Sequence, residues 1–188
     1  MSASRETEVK LPFESTRAAR EALSRAGARL EVARSFEDNR IYDRGDGSLE
    51  RDGLVLRLRV DDGGGRITFK GPVEGERRHK ARVEHETVVG DPDAAHRLLE
   101  GLGYRVAWRY QKYRTTYRLH DVEAMLDETP IGCWVELEGE PDAIDRAAAR
   151  LGIPPDRYVT DTYRDLAVRH ARERGIALAD LVFESAAP

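Results

Sequence analysis

Cysteine is almost missing from this chain: Cys133 is the only one among 188 residues. No internal disulfide can form, and a single thiol suits a reducing cytoplasmic setting. Cys133 stands next to Trp134 and reads as a small packed residue, not a nucleophile. No stretch approaches the ~20 apolar residues of a membrane span. Met1 to Lys10 is charged and carries no apolar run, so no signal peptide is expected. There is no excess of positive charge either. The net charge is −4 with a pI near 5.8, which disfavours duplex nucleic acid as a partner while leaving room for a local basic pocket. The five histidines (His79, His85, His96, His120 and His170) show no metal-ligand spacing with one another and read as surface or packing residues. Asp61-Asp62-Gly63-Gly64-Gly65 is glycine-rich, but it lacks P-loop spacing and a following helix. A hairpin turn is expected there.

What the chain has in quantity is charge. Charged residues make up 35% and hydrophobic residues 40% of the sequence, a high and a low share for a globular protein. The charges are also ordered. Side chains alternate across a β-strand, so Glu6, Glu8 and Lys10 share one face of the first strand while Thr7, Val9 and Leu11 share the other. The same period of two recurs in Arg57 and Arg59, in Thr68 and Lys70, and in Arg82, Glu84 and Glu86. It returns in Lys112, Arg114, Thr116 and Arg118, and again in Glu136 and Glu138. A solvated sheet face would mix in more Ser, Thr, Asn and Gln. Full charges at nearly every such position point to strands facing a shared polar interior.

Helical spacing appears between these strands. Ser15 is a candidate N-cap for a helix carrying Ala18, Ala19, Ala22, Leu23 and Ala26, which Gly27 ends. An extended run is expected over 29–43, and turns at 44–47 and 51–53 lead to strands over 54–61 and 66–72. Residues 74–80 read as a solvated loop before a strand over 81–89. Asp91-Pro92 opens a helix whose apolar stripe is Ala94, Ala95, Leu98, Leu99 and Leu102. Strands over 104–119, 122–127 and 133–139 follow, then helices from Pro141 to about Leu151 and from about Asp161 to Arg174. The short connections argue for an antiparallel sheet in the α+β class. A barrel with a polar interior and helices over an apolar outside fits this pattern. One domain is expected over 1–175, with a tail over 176–188 that docks in part and frays at Ala186-Ala187-Pro188.

Such an interior suits polyphosphate. Arg offers a planar fork to phosphate oxygens and Lys a point charge. Lys10, Arg57, Arg59, Lys70, Lys112 and Arg114 are the candidate phosphate ligands, with Arg118 in reserve. Carboxylates supply hard oxygen ligands for Mg²⁺ or Mn²⁺. Phe36 and Tyr42 are the aromatics placed to stack on a base, although core packing is the commoner use of such residues.

Glu6-x-Glu8-x-Lys10 resembles the E-x-E-x-K signature of the CYTH superfamily, the triphosphate tunnel metalloenzymes. The resemblance continues through Leu56-Arg57-Leu58-Arg59, Thr68-Phe69-Lys70-Gly71-Pro72, Glu84-x-Glu86, Lys112-x-Arg114, Asp127 and Val135-Glu136-Leu137-Glu138-Gly139. It ends in Thr162-Tyr163-Arg164-Asp165-Leu166, similar to the family's Ser-Tyr-x-x-Leu with Thr for Ser. Phe36-Glu37-Asp38-Asn39 and Asp180-Leu181-Val182-Phe183 are similar to the class IV adenylyl cyclase-like branch, and the family also holds thiamine triphosphatases. The resemblance implies an eight-stranded antiparallel tunnel that holds a triphosphate and divalent metal. It implies metal ligation by Glu6, Glu8, Glu136 and Glu138, with Asp127 next. It implies catalytic roles for Lys10, Arg59, Glu84 and Glu86. The expected activity is hydrolysis of tripolyphosphate, ATP or thiamine triphosphate. The alternatives are cyclisation of ATP to cyclic AMP and non-catalytic binding of polyphosphate or nucleotide. The oligomeric state is left open between monomer and homodimer.

Overall fold

The computed structural model describes residues 4–74 and 79–184. Part of the loop expected over 74–80 and the frayed end at 186–188 lie outside the described residues. In chain order the elements are β1 (Ser4–Phe13), α1 (Thr16–Arg25), β2 (Arg29–Arg44), α2 (Ser48–Arg51), β3 (Val55–Asp61), β4 (Gly64–Lys70) and β5 (Lys80–Val89). There follow α3 (Pro92–Gly101), β6 (Tyr104–Leu119), β7 (Val122–Thr129), β8 (Gly132–Glu138), α4 (Pro141–Arg150), a 3₁₀ turn at Pro155–Arg157 and α5 (Tyr163–Arg174).

The strands close into one antiparallel barrel in the order β1-β5-β4-β3-β2-β6-β7-β8. The eight-stranded α+β barrel expected from the alternation is the one observed. It is polar within and apolar without. Val9, Leu11, Leu126, Val135 and Leu137 point outward from β1, β7 and β8 and are fully buried beneath Leu23 of α1 and Ile144 and Ala148 of α4. Burying each large aliphatic side chain contributes about 1.5–3 kcal/mol. The hydrophobic core therefore lies between wall and helices, and the barrel lumen is free to hold charge.

Local chemistry fixes the helix ends. Ser15 accepts a hydrogen bond from the Ala18 amide at 3.2 Å and Asp91 one from the Ala94 amide at 2.9 Å, each satisfying an amide that the first turn leaves without a partner. Thr162 and Asp165 form a reciprocal capping box at the start of α5, and Gly175 ends that helix in the left-handed region at φ 65°.

The structure differs from the sequence reading at several places. A short helix, α2, stands where only turns were expected, because Asp43 accepts from the amides of Leu49 and Glu50 at 3.0 and 2.9 Å and ties down its start. The glycine-rich hairpin is tighter than expected, with β4 already under way at Gly64. On α3 only Ala95 and Leu99 reach the wall, against Tyr42 and Leu58. Leu98 and Leu102 are 68% and 73% exposed, since one helical face narrower than the five-residue stripe suffices to cover two strands.

The segment after α5 adds to the overhanging edge of β6. The Leu181 amide donates to the Arg109 carbonyl at 2.9 Å, and the Gln111 amide donates to the Leu181 carbonyl at 2.8 Å. Trp108 Nε1 donates to the Ala179 carbonyl at 3.1 Å, and Phe183 packs against Tyr113 with ring centroids 5.2 Å apart. Leu178, expected to help this docking, is 42% exposed.

Because Ile144 is fully buried and Leu98 is not, their truncations should differ sharply. Ile144→Ala is expected to cost about 2–5 kcal/mol and Leu98→Ser about 0.5 kcal/mol or less in urea unfolding. Equal losses would mean that the face of α3 bearing Leu98 is covered in solution.

Candidate active site

The barrel encloses a cavity of about 940 Å³ that runs from the α2–α5 end to the end bearing the β3–β4 and β6–β7 hairpins. Of the residues expected from the sequence, Glu6, Glu8, Lys10, Arg57, Arg59, Lys70, Glu84, Glu86, Lys112, Arg114, Glu136 and Glu138 all line it. The strands deliver them by alternation alone, as Glu6, Glu8 and Lys10 on β1 illustrate.

Asp127 stands apart. It is fully buried and satisfied by protein. Lys112 Nζ donates to it at 2.9 Å, Arg114 Nε and Nη2 at 2.7 and 2.6 Å, and the Tyr163 hydroxyl at 2.6 Å. Its carboxyl is held well below the usual carboxylate range: burial alone would raise it, but the charges of Arg114 and Lys112 prevail. Tyr163 enters from the start of α5, packs edge-on against Trp134, and lies between the ammonium groups of Lys10 and Lys112, 5.3 and 5.2 Å from its ring centre. Gly132 makes room for this arrangement. At φ 149° it adopts a conformation few side chains tolerate, and a Cβ there would fall 2.9 Å from the Trp134 ring.

The cationic wall holds donors with nothing to bond. The Nε atoms of Arg57, Arg59 and Arg82 are buried and lack hydrogen-bond partners among the described residues, although Arg59 Nε lies 3.6 Å from the Asp61 carboxylate. The terminal nitrogens of two of them have partners. Arg57 reaches Tyr110 and Thr68 at 3.3 and 3.2 Å, and Arg59 reaches Glu37 at 3.3 Å. Buried unpaired donors are costly and so mark a place for an acceptor. Lys10, although fully buried, has its ammonium pKa raised, because Glu136, Glu8 and Asp127 outweigh the burial. It stays charged.

The acidic wall shows the complementary excess. Glu6 and Glu84 both approach Lys70 Nζ, at 2.6 and 2.7 Å. Burial pushes Glu84 up to about 7, and its contact with Glu6 adds to the rise. Glu6 is held at about 2 despite burial, through Glu84 and Lys70. Glu138 is pushed up to about 8 by burial and by the charges of Glu6 and Glu136. Glu8 lies below its ordinary value because Lys10 and Lys80 overcome its burial. The buried Oε2 atoms of these acids face cations: Glu84 Oε2 lies 2.7 Å from Lys70, Glu37 Oε2 3.5 Å from Lys112, and Glu136 Oε2 3.4 Å from Lys10 and 3.5 Å from Arg114.

A divalent metal fits this donor set. The available donors are hard carboxylate oxygens, crowded enough to raise the pKa values of Glu84 and Glu138. Among the described residues no three acids stand close enough to hold an ion unaided. Mg²⁺ rarely asks for that, since it keeps several waters and takes one or two carboxylates beside phosphate oxygens.

Sequence reasoning missed Glu37, Lys80 and Tyr163 as lumen residues, and it placed Arg82 on the inward face without naming it as a phosphate ligand. Glu37 is 4% exposed and faces Lys112 and Arg59. Lys80 donates to Glu8 at 2.8 Å. The signal was available for Arg82, which shares the alternation of Glu84 and Glu86. Arg118, the reserve phosphate ligand, bonds instead to Glu31 at 3.2 Å on both carboxylate oxygens. Neither aromatic candidate for base stacking is free. Phe36 packs on Tyr113 at 5.3 Å, and the Tyr42 hydroxyl bonds to His96 Nδ1 at 2.8 Å. His85 stacks on Phe69, and Cys133 is buried with its thiol pushed up to about 11 by that burial.

Two measurements follow from this geometry. Removing the carboxylate in Asp127→Ala leaves Lys112 and Arg114 buried without their partner and should cost about 3–5 kcal/mol of stability in denaturant unfolding. A loss below 1 kcal/mol would show that other acids take over the two cations. The second concerns pH. Glu84 and Glu138 titrate in the fold at about 7 and about 8 against an ordinary 4.5. Raised acids leave stability intact below the unfolded value and reduce it as pH rises through the folded value. Metal-free protein should therefore melt at a higher temperature near pH 6 than near pH 9. Glu138→Gln should flatten that difference, and an unchanged slope would show that Glu138 is not the strained group.

The chain matches the CYTH domain over residues 4–163. It is 26% identical over 134 residues to a Methanocaldococcus jannaschii protein named "putative adenylate cyclase", covering 71% of this chain and 75% of that one. Among solved structures, a "putative adenylate cyclase" of Vibrio parahaemolyticus superposes with a TM-score of 0.76 at 19% identity, covering 88% of this chain and 98% of the other. A Hippeastrum protein described as a "putative adenylyl cyclase" with "a dominant triphosphatase activity" superposes with a TM-score of 0.64 at 19% identity, over 92% and 97% of the two chains. No helix among the described residues is long and apolar enough to cross a membrane. With most of its length matched and its eight strands closed into an antiparallel barrel, this chain belongs to the CYTH domain family.

Proposed function

We propose that the protein hydrolyses the terminal phosphate of a small triphosphate with the help of Mg²⁺ or Mn²⁺. The observation that carries this reading is a single lumen that holds both buried guanidinium Nε donors without hydrogen-bond partners, on Arg57 and Arg82, and crowded carboxylates, with Glu84 and Glu138 pushed up to about 7 and about 8 by burial and neighbouring acids. The donors call for an anion and the crowded acids for more positive charge, and a metal–triphosphate complex supplies both.

In this reading Arg57, Arg59, Lys70, Lys112, Arg114 and Lys10 hold phosphate oxygens, and Arg82 joins them. Glu6, Glu8, Glu136 and Glu138 would hold the metal, which polarises phosphorus and offsets charge that builds on the oxygens. Asp127 is a positioning residue, since its oxygens are taken by Lys112, Arg114 and Tyr163. Glu86 likewise positions Arg66 and Thr68, at 2.9 and 2.8 Å. Glu84, near 7, has the proton affinity suited to a general base for the attacking water. As the water oxygen bonds to the terminal phosphorus its proton passes to Glu84, and the bridging P–O bond breaks to leave a diphosphate. Lys10 and Arg59 stabilise the negative charge that develops. The activity stated for the Hippeastrum relative supports hydrolysis.

Cyclisation of ATP, suggested by the names of the other relatives, asks in addition for a base pocket that aims the ribose hydroxyl at the α-phosphorus. Phe36 and Tyr42 are committed to packing. A product assay with tripolyphosphate, ATP and thiamine triphosphate separates the reactions. Phosphate release without cyclic AMP is expected. Cyclic AMP with pyrophosphate would replace the reading with the cyclase, and tight binding with no turnover at any Mg²⁺ or Mn²⁺ concentration would replace it with a binding module. Glu6→Gln and Glu8→Gln should each reduce kcat/KM by about 100-fold or more, equivalent to about 2.7 kcal/mol of transition-state stabilisation. Full activity in both would remove these residues from the site.

A further inference from the structure

We infer that Lys70 is a tethered counter-ion that occupies the acidic wall until a triphosphate draws it away, so that metal and triphosphate bind together and not in isolation. The inference rests on the metal-dependent reading above. Lys70 extends from β4 opposite Glu84 of β5 in the strand register. Its ammonium lies 2.6 Å from Glu6 Oε2 and 2.7 Å from Glu84 Oε2, joining carboxylates from two strands. Glu6 is one of the carboxylates a divalent ion would take, and among the described residues no three acids stand close enough to hold one unaided. An ammonium and a divalent ion cannot share one pair of carboxylates, because like charges at contact distance repel strongly inside a partly dry cavity.

Lys70 also lines the same cavity as Arg57, Lys112 and Arg114, so a triphosphate there offers its ammonium a second anionic partner. The flexible four-carbon stem of lysine can make that exchange, where the rigid fork of an arginine would stay paired. Once the ammonium turns to phosphate, Glu6 is left without its cation beside phosphate oxygens and a divalent ion replaces it there, while Glu84 is released to take the proton of the attacking water. Lys70 is thus a positioning residue for the metal. By linkage, whatever the triphosphate does for the metal the metal does equally for the triphosphate.

The test measures Mn²⁺ binding in the absence of any phosphate, by calorimetry or by the loss of the free-ion paramagnetic resonance signal. Wild-type protein should bind Mn²⁺ alone weakly. Lys70→Met should bind it about tenfold more tightly or better, within the usual range of a coupling between sites, and Lys70→Arg should stay as weak as wild type. In the presence of a chelator, Lys70→Met should also bind tripolyphosphate more weakly than wild type. Unchanged or weaker Mn²⁺ binding by folded Lys70→Met would overturn the inference, as would Lys70→Arg binding as tightly as Lys70→Met. Should Lys70→Met not fold, Lys70→Gln carries the same comparison. Wild-type protein saturated by Mn²⁺ alone at low micromolar concentration overturns the inference directly. No turnover is read here. A chain that hydrolyses nothing yet shows the tenfold shift keeps this inference and loses the proposed reaction, while one that hydrolyses triphosphate with no shift does the opposite.

Discussion

Everything in this barrel depends on keeping charge inside it. An isolated ion transferred from water into a protein interior loses hydration worth several kcal/mol even after the surroundings relax. The chain meets that cost first at Asp127, where one fully buried carboxylate gathers Lys112 and Arg114 from β6 and Tyr163 from α5. That junction joins the wall to the helix closing one end of the cavity. It also fixes two cations with little freedom, so that their orientation precedes any ligand. Pre-set cations lower the cost of ordering when an anion arrives.

The inverted arrangement follows from the same constraint. A barrel of eight strands has room for one layer of side chains within. Here that layer is polar, so the hydrophobic effect must act elsewhere. It acts outside, where Leu11, Leu126 and Leu137 meet Leu23 and Ile144. The two halves of each strand's alternation therefore do separate work. The outward residues hold the fold together, and the inward residues can be chosen for chemistry. This separation lets Glu84 and Glu138 remain at raised pKa values without dismantling the core.

The alternation made β1 transparent in the sequence: Glu6, Glu8 and Lys10 face in, and Val9 and Leu11 face out. The same rule placed Arg57, Arg59, Lys70 and Glu136. It failed at Glu37 because Glu37, Asp38 and Asn39 are consecutive and all buried. Asp38 faces outward yet is covered, paired with Arg109 at 2.6 Å, so polarity there no longer distinguishes the faces. Tyr163 was legible as a helix residue and as part of a motif, but no periodicity says that a helix beyond two prolines will reach back into the lumen. The partners of Asp127 were hidden for a related reason. A carboxylate on a strand looks the same in sequence whether it awaits a metal or already serves two cations, and only three-dimensional distance separates the two.

That distinction bears on how the cavity is divided. Asp127 is saturated by groups that the fold itself supplies, so adding a ligand gives it nothing. Glu84 and Glu138 are the reverse: each is pushed up by burial and by neighbouring acids, and each gains from a new positive charge. The unpaired Nε atoms of Arg57 and Arg82 gain from a negative one. Free energy left unsatisfied in the cavity returns when a ligand binds, and a ligand that binds only the folded state stabilises it by mass action. A single anion would relieve the arginines but worsen the acids, and a lone metal would do the opposite. In the proposed reading a metal–polyphosphate complex relieves both kinds of group together, and the lumen's charge pattern would favour that pairing over either component alone.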